Sequence, residues 1–251
     1  MGARFLLTHH SATLEEEGKF WLAISRALVN ASAMWIMYLA LEPWVRRRWP
    51  HTIIGWSRFT ARGIRDPLVG RDMLYGMGFG LVLGLIQLAG TALHGNSGQP
   101  FLPPLAPLLG VRYEMAGLLN AVNIGLFTGL LVLFLLFVLR VVLRNQWIAA
   151  AVYAAVLGFI RVYGTTTGWV DYPVALALEA VFALLLLRFG LTAAIAASVC
   201  LAMLEACPAA PEFSVWYAGL ALIPPAVVAL IAVYGFRIAR AGRPLIQPEL
   251  E

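Results

Sequence analysis

Charged side chains are scarce in this sequence. Asp, Glu, Lys and Arg together make up 12% of its 251 residues, whereas soluble domains contain roughly 25%. Hydrophobic residues make up 61%. These few charged side chains cannot cover a water-facing surface of ordinary composition. The low charged fraction and the high hydrophobic fraction therefore exclude a typical soluble domain and indicate a protein surrounded by lipid.

Lysine, histidine and cysteine are also rare, which excludes several kinds of chemistry. The one lysine is Lys19, and the chain contains no His-Arg-Asp loop, no Asp-Phe-Gly triplet and no His-Glu-x-x-His motif. Cys200 and Cys207 are two helical turns apart, about 10 Å along the axis, which is too far for a disulfide within one straight helix. We expect packing roles for both cysteines. We also expect no catalytic residue, metal or cofactor in this chain.

Seven apolar runs dominate what is present. A helix of about 20 apolar residues spans the ~30 Å hydrocarbon layer, and the runs lack the alternation of membrane β-strands. The sequence therefore predicts an all-α membrane helix bundle of about seven transmembrane helices, forming a single domain over residues 1–251. The runs are 20–41, 73–94, 115–139, 147–163, 173–187, 191–206 and 216–236. The fifth and sixth are short and separated by three residues, so they are expected to form a tight hairpin, partly inside the bundle.

Arginine marks alternate ends of these runs. Thirteen basic residues fall on one side and four on the other, and positive residues in short loops stay cytoplasmic. The predicted orientation therefore has the N-terminus outside and the C-terminus in the cytoplasm. The same bias accounts for the net charge of +5, so membrane lipids rather than nucleic acid are the expected partners.

The basic loop at 42–72 has an amphipathic pattern. On a helix, three arginines share one face, opposite two tryptophans and an isoleucine, which predicts a helix lying in the inner interface with its arginines towards lipid phosphates. A plain basic tether is the alternative. Pro43 and Pro50 are expected to end the first helix. The two faces are Arg58, Arg62 and Arg65, and Trp49, Ile53 and Trp56.

The remaining features are an outer loop and a few polar or small residues within the runs. The proline-rich loop at 95–114 is predicted to be a stiff cap or re-entrant segment. Arg26 and Glu179 lie inside apolar runs, and we expect an ion pair between them, with a proton or ligand path as the alternative. Gly76, Gly80 and Gly84 recur every four residues, a spacing that lets helices approach closely, either within this bundle or at a dimer seam.

Five short phrases resemble one known family. They are YLALEPWVRRRWP at 38–50, RDPLVGRD at 65–72, WYAG at 216–219, YGFR at 234–237 and AGRPL at 241–245. Together they resemble the C-terminal multi-span membrane region of bacterial, acidobacterial-type eukaryotic-like serine/threonine protein kinases, over nearly the whole chain. Trp44 stands where that family usually has Tyr.

The resemblance implies a location and a role. It implies a multi-pass protein of the bacterial inner membrane, with a cytoplasmic kinase domain preceding a helix that residues 5–7 would terminate. The chain itself would then be a non-catalytic membrane anchor, with a possible sensory role in signal transduction, whose partner is a kinase domain or another membrane protein. The alternative is a stand-alone small membrane transporter or enzyme that uses Glu179 or the outer loop. A third hypothesis, a lipid-regulated scaffold, is supported only by the basic loop.

Overall fold

The computed structural model describes residues 15–93, 106–163, 168–207, 214, 216 and 218–240, and within these ranges the chain is helical with no strand. The predicted all-α class is therefore confirmed. The α-helices are α1 (Glu15–Arg48), α2 (Pro50–Arg62), α3 (Pro67–Leu93), α4 (Val111–Leu143), α5 (Gln146–Val162), α6 (Gly168–Phe189), α7 (Leu191–Glu205), α8 (Ala218–Ala221) and α9 (Ile223–Ala239), with 3-10 turns at Gly63–Arg65 and Ala106–Leu109.

Five helical segments are long and apolar enough to cross a membrane: α1, α3, α4, α6 and the α8–α9 pair. Helix α5 has 17 residues and α7 has 15. At 1.5 Å per residue they are about 26 and 23 Å long, shorter than the ~30 Å hydrocarbon layer. Helix α6 is longer than its apolar run 173–187, because it begins at Gly168 and includes Pro173.

Helix α7 forms the centre of the bundle. Thirteen of its fifteen residues are buried, and it packs mainly between α3 and α4, with α2, α6 and α9 completing its surroundings. A helix that is apolar on every side is suited to such a position, because no face of it needs water. The predicted hairpin is also present: Gly190 joins α6 to α7 with φ 88°, a left-handed conformation that favours glycine.

Glycines on α3 and α4 bring the neighbouring backbones close to α7. A Cβ placed at Gly80 would lie 2.5 Å from the Cys200 Cβ and 2.9 Å from the Ala197 carbonyl oxygen. Gly76 is equally close to Ala193 and Ala196, whereas at Gly84 the nearest atom is the end of the Leu204 side chain, 3.1 Å away. The stripe Gly76, Gly80, Gly84 therefore faces α7 of the same chain, and Gly125 and Gly129 on α4 face it from the other side.

The turn between α1 and α2 differs from the prediction at Pro43. Helix α1 continues through Pro43 to Arg48, so the break predicted there was wrong. A proline removes one backbone hydrogen bond, and here the Glu42–Arg46 ion pair at 2.6 Å and the burial of Leu41 and Val45 hold the helix across it. The break comes six residues later, at Trp49, and Pro50 is the first residue of α2.

Helix α2 is amphipathic as predicted, but its apolar face packs on protein. Trp49 and Ile53 are each 3% exposed and belong to the hydrophobic core, and α2 contacts α7, α3, α6 and α1. A Cβ at Gly190 would lie 2.7 Å from the Thr52 carbonyl oxygen, so α2 lies directly against the start of α7. The helix therefore covers the N-terminal end of the central helix, which corrects the expectation that this face lies against lipid.

The outer surface of the bundle is apolar. None of the most apolar window of α1 is buried, and large side chains such as Trp21, Val29 and Ile36 are exposed along it. Exposed apolar surface on this scale is rare in soluble proteins and is expected where lipid surrounds the helices.

Candidate functional site

The ends of α1 and α4 meet at a basic cavity of about 440 Å³, which we call the basic pocket. It lies where the predicted topology places the cytoplasmic interface. Three of its six lining side chains are arginines and none is acidic. The lining residues are Arg48, Trp49, Phe137, Arg140, Val141 and Arg144.

Arg140 is the most constrained residue of the basic pocket. Its guanidinium carbon lies 4.1 Å from the centre of the Trp49 ring, a cation–π contact. Its Nη1 atom is buried and has no hydrogen-bond partner within the described residues. A buried charged donor without an acceptor costs roughly 1–3 kcal/mol or more, and a cation–π contact contributes only about 0.5–2 kcal/mol. Arg140 therefore retains an unused hydrogen-bond donor beside the cavity.

Arg144 lies in the left-handed region, with φ 56° and ψ −2°, and no other non-glycine residue in the described ranges has a positive φ. Its N–H donates to the Arg140 carbonyl oxygen at 2.8 Å, which closes the end of α4. Glycine or asparagine is the usual residue at such a cap, because a side chain there costs about 1–2 kcal/mol. Asn145 follows and caps α5 by accepting from the Trp147 N–H at 2.9 Å.

Glu179 is held by α5 rather than by α1. The Tyr153 hydroxyl donates to Glu179 Oε2 at 2.8 Å, and Arg161 Nη1 lies 3.5 Å from Glu179 Oε1. The predicted pair with Arg26 is therefore replaced, since Arg26 is exposed on α1 while α5 and α6 are packed side by side. The spacing of Tyr153 and Arg161, about two turns on one helix face, is a signal in the sequence that could have identified both partners.

The predicted lipid-facing arginines have different environments. Arg58 Nη1 lies 3.3 Å from Asp66 Oδ2, and Asp66 Oδ1 accepts from the Leu68 N–H at 2.9 Å. Asp66 thus caps α3 while its pair with Arg58 holds the corner to α2. Arg65 is exposed, and the side chain of Arg62 lies outside the described residues. Contact of these arginines with lipid phosphates stays a prediction.

Glu114 and the two cysteines lie outside the lining of the basic pocket. Glu114 is 1% exposed, and its Oε2 has no partner within the described part of the chain. No group of three or more potential metal ligands occurs among the described residues. Both cysteines are free: Cys200 is buried, whereas Cys207 is half-buried. Most of the loop predicted at 95–114 lies outside the described ranges, which resume at the 3-10 turn Ala106–Leu109.

No protein family, curated protein or solved structure matches this chain. The function must therefore be argued from the distribution of its polar groups.

Proposed function

We propose that this chain is a seven-helix, non-catalytic integral membrane domain that anchors a cytoplasmic partner, such as the serine/threonine kinase domain implied by the sequence resemblance. The observation that carries the proposal is the segregation of polar groups. Arginines and the basic pocket collect at the end predicted to be cytoplasmic, whereas mid-helix Glu179 is engaged by Tyr153 and Arg161. An engaged carboxylate is suited to holding helices together rather than to carrying protons.

Seven crossings require the two short helices to span as well. Helix α7 is enclosed by protein, so the polar backbone groups at its ends do not face lipid even though the helix is short. Helix α2 covers the end that we propose to be the inner one. Helix α5 pairs along its length with the longer α6. Spanning by both places the arginine-rich ends of α1, α4, α6 and α9 on one side, with the N-terminus outside and the C-terminus inside.

The genome and one reconstitution assay test the anchoring role. We expect a kinase reading frame directly upstream, and we expect its product to leave the membrane fraction when this chain is deleted. The contrary outcome has two parts. The gene has no kinase neighbour, and its purified product transports a solute across vesicle membranes, with transport abolished by Glu179→Gln. That result would establish the transporter alternative.

A further inference from the structure

We infer that the basic pocket binds the phosphate group of an anionic phospholipid from the inner leaflet, with Arg48, Arg140 and Arg144 as its ligands. This inference rests on the proposed orientation but not on the presence of a kinase partner. These arginines are distinct from Arg58, Arg62 and Arg65 of the basic loop.

The charge in the pocket is uncompensated. None of its three arginines forms an ion pair with a carboxylate in the described ranges, and three acidic residues of the basic loop are engaged by other arginines. Glu42 pairs with Arg46, Asp66 with Arg58, and Asp72 with Arg71. The C-terminal ends of α1 and α4 each contribute roughly half a negative charge, which leaves a net charge of about +2. This excess of positive charge favours the binding of an anion.

The hydrogen-bonding capacity points to a phosphate. The buried Nη1 atom of Arg140 has no described partner, and arginine donors match phosphate oxygens in a two-pronged geometry. Arg144 supports the same conclusion, because its left-handed backbone would suit glycine better. Backbone strain of this kind persists where the side chain has a use.

The surroundings favour a lipid over a free ion. Phe137 and Val141 supply an apolar wall to the cavity on α4, and Trp49 supplies a third large apolar side chain. The cavity of about 440 Å³ falls in the range typical of small-molecule sites. The arginines at the end of α4, with Phe137 about one turn deeper in the same lining, match an amphiphile that places its phosphate at the arginines and its acyl chains towards Phe137.

The test uses the purified full chain in a neutral detergent, with native mass spectrometry to count retained lipids. Dioleoyl phosphatidylglycerol and dioleoyl phosphatidylcholine are compared, and inorganic phosphate is added in a parallel thermal-shift experiment. We expect at least tenfold preferential retention of phosphatidylglycerol. Arg140→Gln should reduce that retention about tenfold, whereas Arg47→Gln, the same charge change at a neighbouring exposed position outside the lining, should not.

Arg144→Gly provides the decisive variant, because it removes a pocket cation while relieving backbone strain. We expect phosphatidylglycerol retention to fall while the Tm of the lipid-free protein is unchanged or rises. Equal retention of both lipids by the wild type, or full retention by Arg144→Gly, would overturn the inference. If inorganic phosphate raises the Tm but phosphatidylglycerol is not retained, the pocket binds free phosphate, and the proposal of a lipid ligand is wrong.

Discussion

Buried ionisable residues in this protein fall into two groups. Glu179 and Asp66 each have at least one partner on a neighbouring helix, and so join that helix to their own. Glu114 and Arg140 have buried polar atoms without a described partner. A satisfied buried charge specifies how helices pack, whereas an unsatisfied one stores free energy that a ligand or a proton can release. The second group is therefore where binding chemistry is to be sought.

The contact of Tyr153 with Glu179 yields a stability prediction. Tyr153→Phe removes the hydroxyl that donates to a 9%-exposed carboxylate, so we expect a loss of about 1–3 kcal/mol in the free energy of unfolding. Arg161→Gln should cost less than 1 kcal/mol, because the arginine side chain is 42% exposed. Thermal unfolding in detergent measures both effects.

A double-mutant cycle checks the partner assignment. Tyr153→Phe and Glu179→Gln should show a coupling energy above about 0.5 kcal/mol, because their side chains touch. Arg26→Gln and Glu179→Gln should be additive. Coupling between Arg26 and Glu179 instead would restore the ion pair first predicted from the sequence.

The two cysteines should differ in reactivity. Burial raises the pKa of the Cys207 thiol, and the charge of Glu114 adds to the effect. A raised pKa lowers the thiolate fraction at neutral pH, so labelling by a membrane-impermeant maleimide should accelerate from pH 7 to pH 9 more than for a free thiol. Cys200, fully buried against α3, should stay unlabelled until the protein unfolds. Mass spectrometry of labelled peptides distinguishes the two sites.

Glycines on one helix supply a matched test of element packing. Gly80 lies against α7, whereas a Cβ added at Gly78 would meet nothing within 4 Å. We expect Gly80→Ala to cost about 1–3 kcal/mol through overpacking, and Gly78→Ala to be neutral or slightly stabilising. Tm values in the same detergent decide this, and equal effects of both substitutions would argue against the close approach of α3 to α7.

The sequence predicts elements better than their neighbours. The spacing of apolar residues, the length of the apolar runs and the arginines that flank them are enough to predict the helical segments, the turn at Gly190 and the amphipathic character of α2. They do not reveal that Trp49 and Ile53 face protein, because tryptophan suits both a headgroup region and a core. The helix break predicted at Pro43 was wrong for a related reason. The hydrogen bond that a proline removes is offset by the burial of Leu41 and Val45, and that burial is visible only in the assembled bundle.

The basic pocket illustrates a second limit. Arg140 and Arg144 are visible in the sequence as topology markers, but their nearness to Arg48 depends on α1 packing against α4. The chain segments involved are about ninety residues apart, and no periodicity links them. The left-handed φ of Arg144 is equally invisible, because arginine is an unusual choice for that conformation.

On the scale of the whole molecule, the arginine distribution predicts the sidedness of both ends. A green fluorescent reporter fused after Glu251 should fluoresce, and alkaline phosphatase fused at the same place should be inactive, because the predicted orientation places the C-terminus in the cytoplasm. Fusion to the N-terminal end should give the opposite pair of results when a cleavable export signal precedes the reporter. Phosphatase activity at the C-terminal end would reverse the topology.

The enclosure of α7 has a consequence for biosynthesis. The helices that form most of its surroundings, α2, α3, α4 and α6, all precede it in the chain, and among the described helices α9 is the one with substantial contacts that follows it. A ribosome delivering the chain to the membrane has therefore supplied most of the walls before the 15 residues of α7 emerge. Helix α7 can enter as the second arm of a hairpin with α6, passing from the insertion machinery into a glycine-lined slot. A nascent chain that has inserted only as far as α6 would expose that slot to lipid, and one in which residues 191–205 have also left the ribosome would already have filled it.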